Sequence, residues 1–570
     1  MFDRGADRWL DQNVDACRLT REGRQSDALL DRRMACLDRA LDELAETVDV
    51  VERARTPVTL DEAMRAAVQL PTLDECADVE ALTERLPQPT APLQRAEATS
   101  ITQETTNIDV LLRTGGTRTG VADRATAAVA RARSLGHAET LARALRSLAA
   151  IQLEDEAGTT TLATLREAIT TASAAHDDRT VVELWSRLLA TLVKLKQSDN
   201  AKLLVPAAEA AVARSTATVD LEVMFLHAKA QVAVTTGDPP GARTLYADSA
   251  KILEAAGAAR PGSPLAPKLL DCQTQTALTY AYEQNWKRVA DDLRPLVALV
   301  AAQYGKDHPA LMRIHFNLAV ALRHLRDDAA ALVEFKNAAR IGEARSAPSP
   351  NLVGNIQAVG TTLYQMEKYT EALPYLERAL AMARTVMGPD DVRLAAAIND
   401  YASVLIEVER YDEARTLLHE QVAIYEKLAT PSKINAAHSV FNLGNLEFKV
   451  GNFAAAIPFI ERAIPMYIAA GVKDHYDADS AIILLAVCQI NVKQWTAAQQ
   501  SAERVLAQKD SAPDMLAGAR FARGRALVGQ GKTAAGMADV RAARAAMIEN
   551  ELPDKVAELD AWLRDRHLTL

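Results

Sequence analysis

Apolar and small residues recur along the second half of the chain in a fixed order of helix-spaced positions. Ile356, Val359, Gly360 and Leu363 are followed, after a short polar break, by Tyr369, Ala372, Leu376 and Ala379. Spacings of three, four and seven put each set on one face of a helix, so the pattern predicts two helices and a tight turn. The same order returns as Ile398, Tyr401, Ala402, Leu405, Tyr411, Ala414 and Leu418, then as Val440, Leu443, Gly444, Phe453, Ala456, Ile460 and Ala463. A fourth copy reads Ile482, Leu485, Ala486, Trp495 and Ala498. Ala372, Ala414, Ala456 and Ala498 are each 42 residues apart. The breaks fall at Glu367-Lys368, Glu409-Arg410, Gly451-Asn452 and Lys493-Gln494.

The small residue at Gly360, Ala402, Gly444 and Ala486 lets the two helices of a hairpin approach. The aromatic at Tyr369, Tyr411, Phe453 and Trp495 opens the second helix and fills the gap to its neighbour. A hairpin of this kind cannot bury its apolar face alone, so copies must stack. Upstream, Leu318, Ala319, Leu322, Ala331, Phe335 and Ala338 fit another copy, and Ala277, Tyr280 and Trp286 a further one. Earlier copies are eroded, around Trp185, Leu188, Leu192 and Ala201, and around Leu226, Ala230, Ala233, Ala242 and Tyr246. Two more helix pairs are expected over about 120–176, and Gly524, Leu527 and Ala543 mark a last hairpin.

These positions resemble the tetratricopeptide pattern, closely over 265–545 and more loosely over 120–265. A period of 42 against the usual 34 implies longer helices, as in kinesin-light-chain repeats. The expected fold is all-α: a right-handed tetratricopeptide solenoid of about nine to ten hairpins behind an N-terminal helical module. The expected boundaries are 1–86 for that module, 87–119 for a linker, 120–264 for degenerate hairpins, 265–552 for the regular array and 553–570 for a capping helix.

In the N-terminal module, one helix to about Thr20 and another from Ser26 to Arg53 predict an antiparallel pair. Capping boxes at Thr59-Leu60-Asp61-Glu62 and Thr72-Leu73-Asp74-Glu75 predict two shorter helices. Pro87, Pro89 and Pro92 among Thr, Ser and Gln read as linker. Tyr304-Gly305-Lys306-Asp307-His308-Pro309 reads as an inter-repeat turn, with His308 a turn residue and not a base.

Composition agrees with close-packed helices. Aromatics are 5%, alanine is abundant, and β-branched enrichment is absent. The net charge is −10 with basic and acidic residues interleaved, which disfavours nucleic acid as a partner. No stretch approaches 18 uncharged apolar residues, so no membrane insertion is expected. Cytoplasm is the expected compartment, or a periplasm-facing position if a membrane segment precedes the array in the native protein. Cys17, Cys36, Cys76, Cys272 and Cys488 show no metal spacing, so neither metal nor cofactor is expected. One disulfide among the first three is conceivable, and three reduced, half-buried thiols is the simpler expectation. Arg113-Thr114-Gly115-Gly116-Thr117-Arg118-Thr119-Gly120 lacks the lysine and strand of a phosphate cradle and reads as a flexible loop. No Ser-His-Asp or Cys-His set is identifiable from spacing.

The runs Asp15-Ala16-Cys17, Leu29-Leu30-Asp31-Arg32-Arg33-Met34-Ala35-Cys36-Leu37 and Leu70-Pro71-Thr72-Leu73-Asp74-Glu75-Cys76-Ala77-Asp78-Val79 are distinctive. They resemble the segment that follows the catalytic domain in myxobacterial serine/threonine protein kinases, where it leads into tetratricopeptide arrays. The kinase glycine loop, Val-Ala-Ile-Lys lysine, His-Arg-Asp loop and Asp-Phe-Gly are all missing from this sequence. The resemblance therefore implies a non-catalytic interaction or sensing arm, or a stand-alone relative, and a ligand-sensing regulatory tetratricopeptide domain is the alternative reading.

In such arrays the first helix of each hairpin lines the inner groove. Its inward offsets give Arg313, Phe316, Arg323 and His324, then Gln357 and Tyr364, then Asn399 and Glu407, then His438, Phe441, Asn445 and Lys449. Cations, amides and aromatics together suit a protein or an extended peptide with some acidic character, with self-association as one form of it. Leu484 stands where a carboxylate clamp would need an amide, which disfavours a chaperone co-factor. Asn317, Asp400 and Asn442 share one offset, suited to tying a helix to its neighbour's backbone.

Overall fold

The computed structural model describes residues 2–53, 73–84, 86–114, 120–156, 158–215, 218–260, 263, 265–345, 348–428, 433–471, 476–508 and 511–569. All regular structure among them is helical, as the 3.6-residue periodicity requires. Helices pack on their sequence neighbours as successive hairpins. The chain divides into two compact units, Met1–Asp327 and Asp328–Leu570.

In the first unit, helices Phe2–Arg21 and Asp27–Arg53 form an antiparallel pair. Trp9 Nε1 donates to Leu37 O at 2.7 Å at one end, and Gln25 Nε2 donates to Ala16 O at 2.7 Å near the other. Short helices Asp74–Ala77 and Val79–Glu84 pack on the second of these. The helix at Asp74 starts from Leu73 without a side-chain cap, and the expected box at Thr59 lies outside the described residues. Cys36 and Cys76 form a disulfide, which corrects the expectation of reduced thiols, and Cys17 is free. Both bonded cysteines are buried with Leu37 and Leu82, so packing brings together residues that spacing alone could not pair.

Residues 92–114 are a helix and not a linker. Pro92 occupies the first turn, where its missing N–H costs nothing. Ala98, Ile101, Thr105 and Ile108 follow at helical spacing and are buried. Ile101 packs with Ala128, Val129 and Ala132, and Ile108 packs with Val121 and Ala125, so this helix is the first half of a hairpin with Val121–Leu135. The Thr/Ser/Gln composition masked that apolar stripe. Hairpins Ala138–Glu156/Thr159–Ala174, Asp178–Lys194/Ser198–Arg214, Val219–Thr235/Pro239–Ala255 and Ala266–Thr279/Trp286–Tyr304 follow, then Pro309–His324. The glycine run after Arg113 lies outside the described residues except at Gly120, and His308 caps the helix at Pro309 by accepting from Ala310 N at 3.3 Å.

The second unit is more regular. Its hairpins are Pro350–Gln365/Tyr369–Val386, Val392–Glu407/Tyr411–Lys427, Lys433–Lys449/Phe453–Ala470, Tyr476–Asn491/Trp495–Leu506 and Pro513–Gly529/Thr533–Glu549. Helix Pro553–Asp565 covers Val540, Ala543 and Met547 with Leu559 and Leu563. Glu367, Glu409, Gly451 and Lys493, at the sequence breaks, all take left-handed backbone conformations. The following amide then reaches five residues back, from Lys368 to Leu363 O and from Arg410 to Leu405 O, which closes the first helix. A β-carbon on Gly444 would stand 2.6 Å from Ile460 Cγ1, the direct sign that the small position sets the helix approach.

Helix Phe453–Ala470 is long and apolar enough, by composition, to cross a membrane. It carries Glu461 and Arg462 at its centre, and Arg462 pairs with Glu426 at 2.5 Å. Its buried face, Ala456, Ile460, Ala463, Ile464 and Tyr467, is the one the repeat pattern specifies.

Candidate partner-binding face

In the second unit, the first helices of consecutive hairpins are joined side chain to side chain at one-repeat steps. Gln357 Nε2 donates to Asp400 Oδ2 at 2.6 Å. Asn399 Nδ2 donates to Asp400 Oδ1 at 3.3 Å, and Asn442 Nδ2 donates to Asn399 Oδ1 at 2.7 Å. A second rung runs from Lys449 Nζ to Glu407 Oε1 at 2.6 Å, with Tyr364 near enough to feel the Glu407 charge. Burial, and then the Glu407 charge, push the Tyr364 phenol up from its ordinary range. Four of the residues chosen by offset, Gln357, Asn399, Glu407 and Lys449, thus take part in polar rungs between successive first helices. Asn442 and Asp400 bond neighbouring side chains and not backbone, because the 42-residue step aligns side chains with side chains.

His438 and Phe441 gather around Tyr467 of the following helix. The Tyr467 hydroxyl lies 2.9 Å from His438 Nδ1, and Phe441 meets the same ring edge-on. His438 Nε2 is 3.7 Å from Asp477 Oδ2. Burial pushes the Tyr467 phenol up from its ordinary range. Asn445 is half-buried on the same helix face and carries no side-chain hydrogen bond among the described residues.

The remaining offset residues belong to the first unit. Arg313 is exposed and ion-paired with Asp271. The His324 ring stacks on Trp286 with centroids 3.7 Å apart and 1° between planes. Phe316 and Arg323 are half-buried and already engaged.

The first unit also holds a trio that spacing did not disclose. His227 Nε2 stands 3.1 Å from Cys272 Sγ, and His227 Nδ1 stands 3.6 Å from Asp271 Oδ2. The geometry is that of a nucleophile, base and orienting acid, but the electrostatics are the reverse of what that chemistry needs. Burial pushes the Cys272 thiol up to about 12 and lowers the His227 imidazole. Cys272 has no exposed surface, so neither thiolate nor substrate access is provided.

Each unit also holds a cavity. One of about 330 Å³ lies in the second unit beside Glu461, Leu485, Gln489 and Arg504. A larger one of about 790 Å³ lies in the first unit, between the N-terminal pair and the first helices of the next hairpins. There the ladder repeats at a 37-residue step: Arg146 pairs with Asp109 on one side and, at 3.5 Å, with Glu183 on the other. Sequence reasoning missed this row because its period differs from 42, though the alternation Asp109, Arg146, Glu183 was there to be read. Among the described residues no His/Cys/Asp/Glu group could hold a metal ion.

Residues 352–427 and 393–469 match the family model described as tetratricopeptide repeat. No curated protein matches the chain. Among solved structures, the chain is similar to BtubC (BKLC) from P. vanneervenii, at 18% identity over 40% of this chain and 91% of that one, with a TM-score of 0.36. It is similar to the apo form of RapI, at 12% identity over 65% of this chain and 98% of that one, with a TM-score of 0.46. It is also similar to the apo quorum sensor NprR from B. thuringiensis, at 13% identity over 66% and 99%, with a TM-score of 0.42.

Proposed function

We propose that this chain is a non-catalytic scaffold that recruits a protein or extended peptide on the first-helix face of its second unit. One observation carries the reading. The ladder joins consecutive first helices, so that half-exposed polar side chains, the amides Gln357, Asn399 and Asn442 among them, recur at about one-repeat steps along one face. A repeating row of this kind suits an extended chain, whose own groups recur at regular intervals. The tetratricopeptide match over 352–469 supports the same reading, since the matched hairpins are those that carry the row. Phe441 and Asn445 are the anchors: an aromatic edge beside an amide with free valence.

The test is binding of the full chain to an arrayed library of acidic and neutral peptides. Selected peptides should bind the Phe441→Ala/Asn445→Ala variant about 10-fold or more weakly, as for interface anchors. Thr416→Ala, on an exposed second-helix site, should leave binding unchanged. Equal binding by all three proteins would remove the face assignment.

The resemblance of the N-terminal runs to kinase-linked segments favours a place in serine/threonine kinase signalling, as a separate scaffold or as the arm of a kinase. Detection of the native gene product by antibody separates these. A band near 61.7 kDa means a separate scaffold, and a much heavier one means an attached domain.

A further inference from the structure

The cavity of the first unit has an imbalance of hydrogen-bonding valence. Its carboxylates are occupied. Asp109 takes Arg146 and the Ser147 hydroxyl, Glu183 takes Arg146 and Arg187, and Asp177 accepts from Thr180 N at 3.3 Å and Thr180 Oγ1 at 2.8 Å. Its guanidiniums are not fully used. Arg179 donates from Nη2 to Asp78 at 3.3 Å, but its buried Nε and Nη1 have no hydrogen-bond partner, Nη1 standing 3.9 Å from Glu75 Oε1. Arg187 bonds Glu183 through Nη2 at 2.9 Å and leaves its buried Nε without a partner.

Arg146 lies deep in the unit yet keeps 29% of its side-chain surface accessible, because that surface faces the cavity. Buried donors without acceptors are costly, and charged ones more so. The vacant valence here is donor valence only, on cationic groups, so the complementary occupant is an acceptor carrying negative charge. The volume, about 790 Å³, is in the range that holds a small organic molecule.

We infer that this cavity is a binding site for a small anion bearing carboxylate or phosphate groups, held by Arg179 and Arg187. The wall opposite the first helices is the N-terminal module, which contributes Arg39, Glu43 and the Cys36–Cys76 bridge. The bridge ties the turn of Glu75 and Asp78 to helix Asp27–Arg53, so the acids that approach Arg179 are held at the cavity edge. The site is independent of the peptide-binding reading of the second unit.

Calorimetric titration of the full chain with citrate and with pyrophosphate tests the inference. Saturable binding of citrate alone identifies a carboxylate site, of pyrophosphate alone a phosphate site, and of both a site selective for charge only. In each case Arg179→Ala and Arg187→Lys should weaken binding about 10-fold or more, the worth of one charge-assisted hydrogen bond. Arg187→Lys keeps the charge and most of the packing, so it reports on the donor geometry even if Arg179→Ala unfolds. Arg133→Ala, whose guanidinium pairs with Glu167 outside the cavity, should bind as the parent does. No saturable binding of either probe, or equal weakening in Arg133→Ala and Arg187→Lys, overturns the site.

Discussion

Lys449 Nζ donates to Glu407 Oε1 at 2.6 Å, from one first helix to the equivalent position of the hairpin before it. Both side chains remain partly exposed, at 38% and 25%. An ion pair in such surroundings contributes about 0–1 kcal/mol, because water screens it and two long side chains lose freedom. The rung therefore sets alignment more than stability. A double-mutant cycle with Lys449→Met and Glu407→Gln, followed by urea unfolding, should give a coupling below about 1 kcal/mol. A coupling above about 2 kcal/mol would mean that the ladder is a main stabiliser of the stack.

The close helix crossings make a sharper prediction about stability. A β-carbon on Gly536 would stand 2.6 Å from the backbone oxygen of Gly524, which cannot move without shifting a helix. On Gly444 the closest obstacle is Ile460 Cγ1, part of a side chain that can rotate. Gly536→Ala should thus destabilise by about 1–3 kcal/mol, and Gly444→Ala by distinctly less. The order of the two urea midpoints decides it.

The fold was legible because the apolar period is strict where hairpins stack. Ala372, Ala414 and Ala456 are all fully buried, as their shared offset requires. Helix 92–114 was not legible, because its stripe of Ala98, Ile101 and Ile108 is diluted by threonines that also pack inward, Thr105 among them. The face itself was legible as a set of offsets. What offsets cannot give is how polar groups divide between one another and a partner, since that depends on a few tenths of an ångström between helices far apart in sequence. Gln357, Asn399 and Lys449 spend their hydrogen bonds within the ladder, whereas Asn445 on the same face does not.

Thiol chemistry separates the cysteines. Cys272 and Cys488 have no exposed surface, and burial pushes both thiols up to about 12. Half-buried Cys17 should be the thiol that reacts first with a disulfide reagent at pH 8. Unfolding without reductant should expose Cys272 and Cys488 as well, while Cys36 and Cys76 stay silent until reduced. Rapid labelling of Cys272 in the native chain, found by peptide mapping, would show that the trio with His227 is open to reagents after all.

Glu447 links acid to the stability of the second unit. Burial pushes its carboxyl up, but hydrogen bonds from Arg415 at 2.6 Å and Asn452 at 2.9 Å outweigh that and hold it below the usual range. A lowered folded-state pKa gives stability that is present in full above the unfolded value, about 4.3, and lost as pH falls through the folded value. Glu447→Gln should cost about 1–3 kcal/mol at pH 7, and the gap to the parent should close on acidification. Urea unfolding at a series of pH values reads this directly, and a gap that widens in acid would contradict the assignment.

The central claim is that the first-helix face of the second unit meets the partner. A photo-crosslinking amino acid placed at Asn445, and in a separate protein at Thr416 on an exposed second-helix site, measures it most directly. With a peptide selected on the full chain, the account predicts a covalent adduct from position 445 and none from position 416. Adduct from 416 alone would place the partner on the second helices and contradict the account.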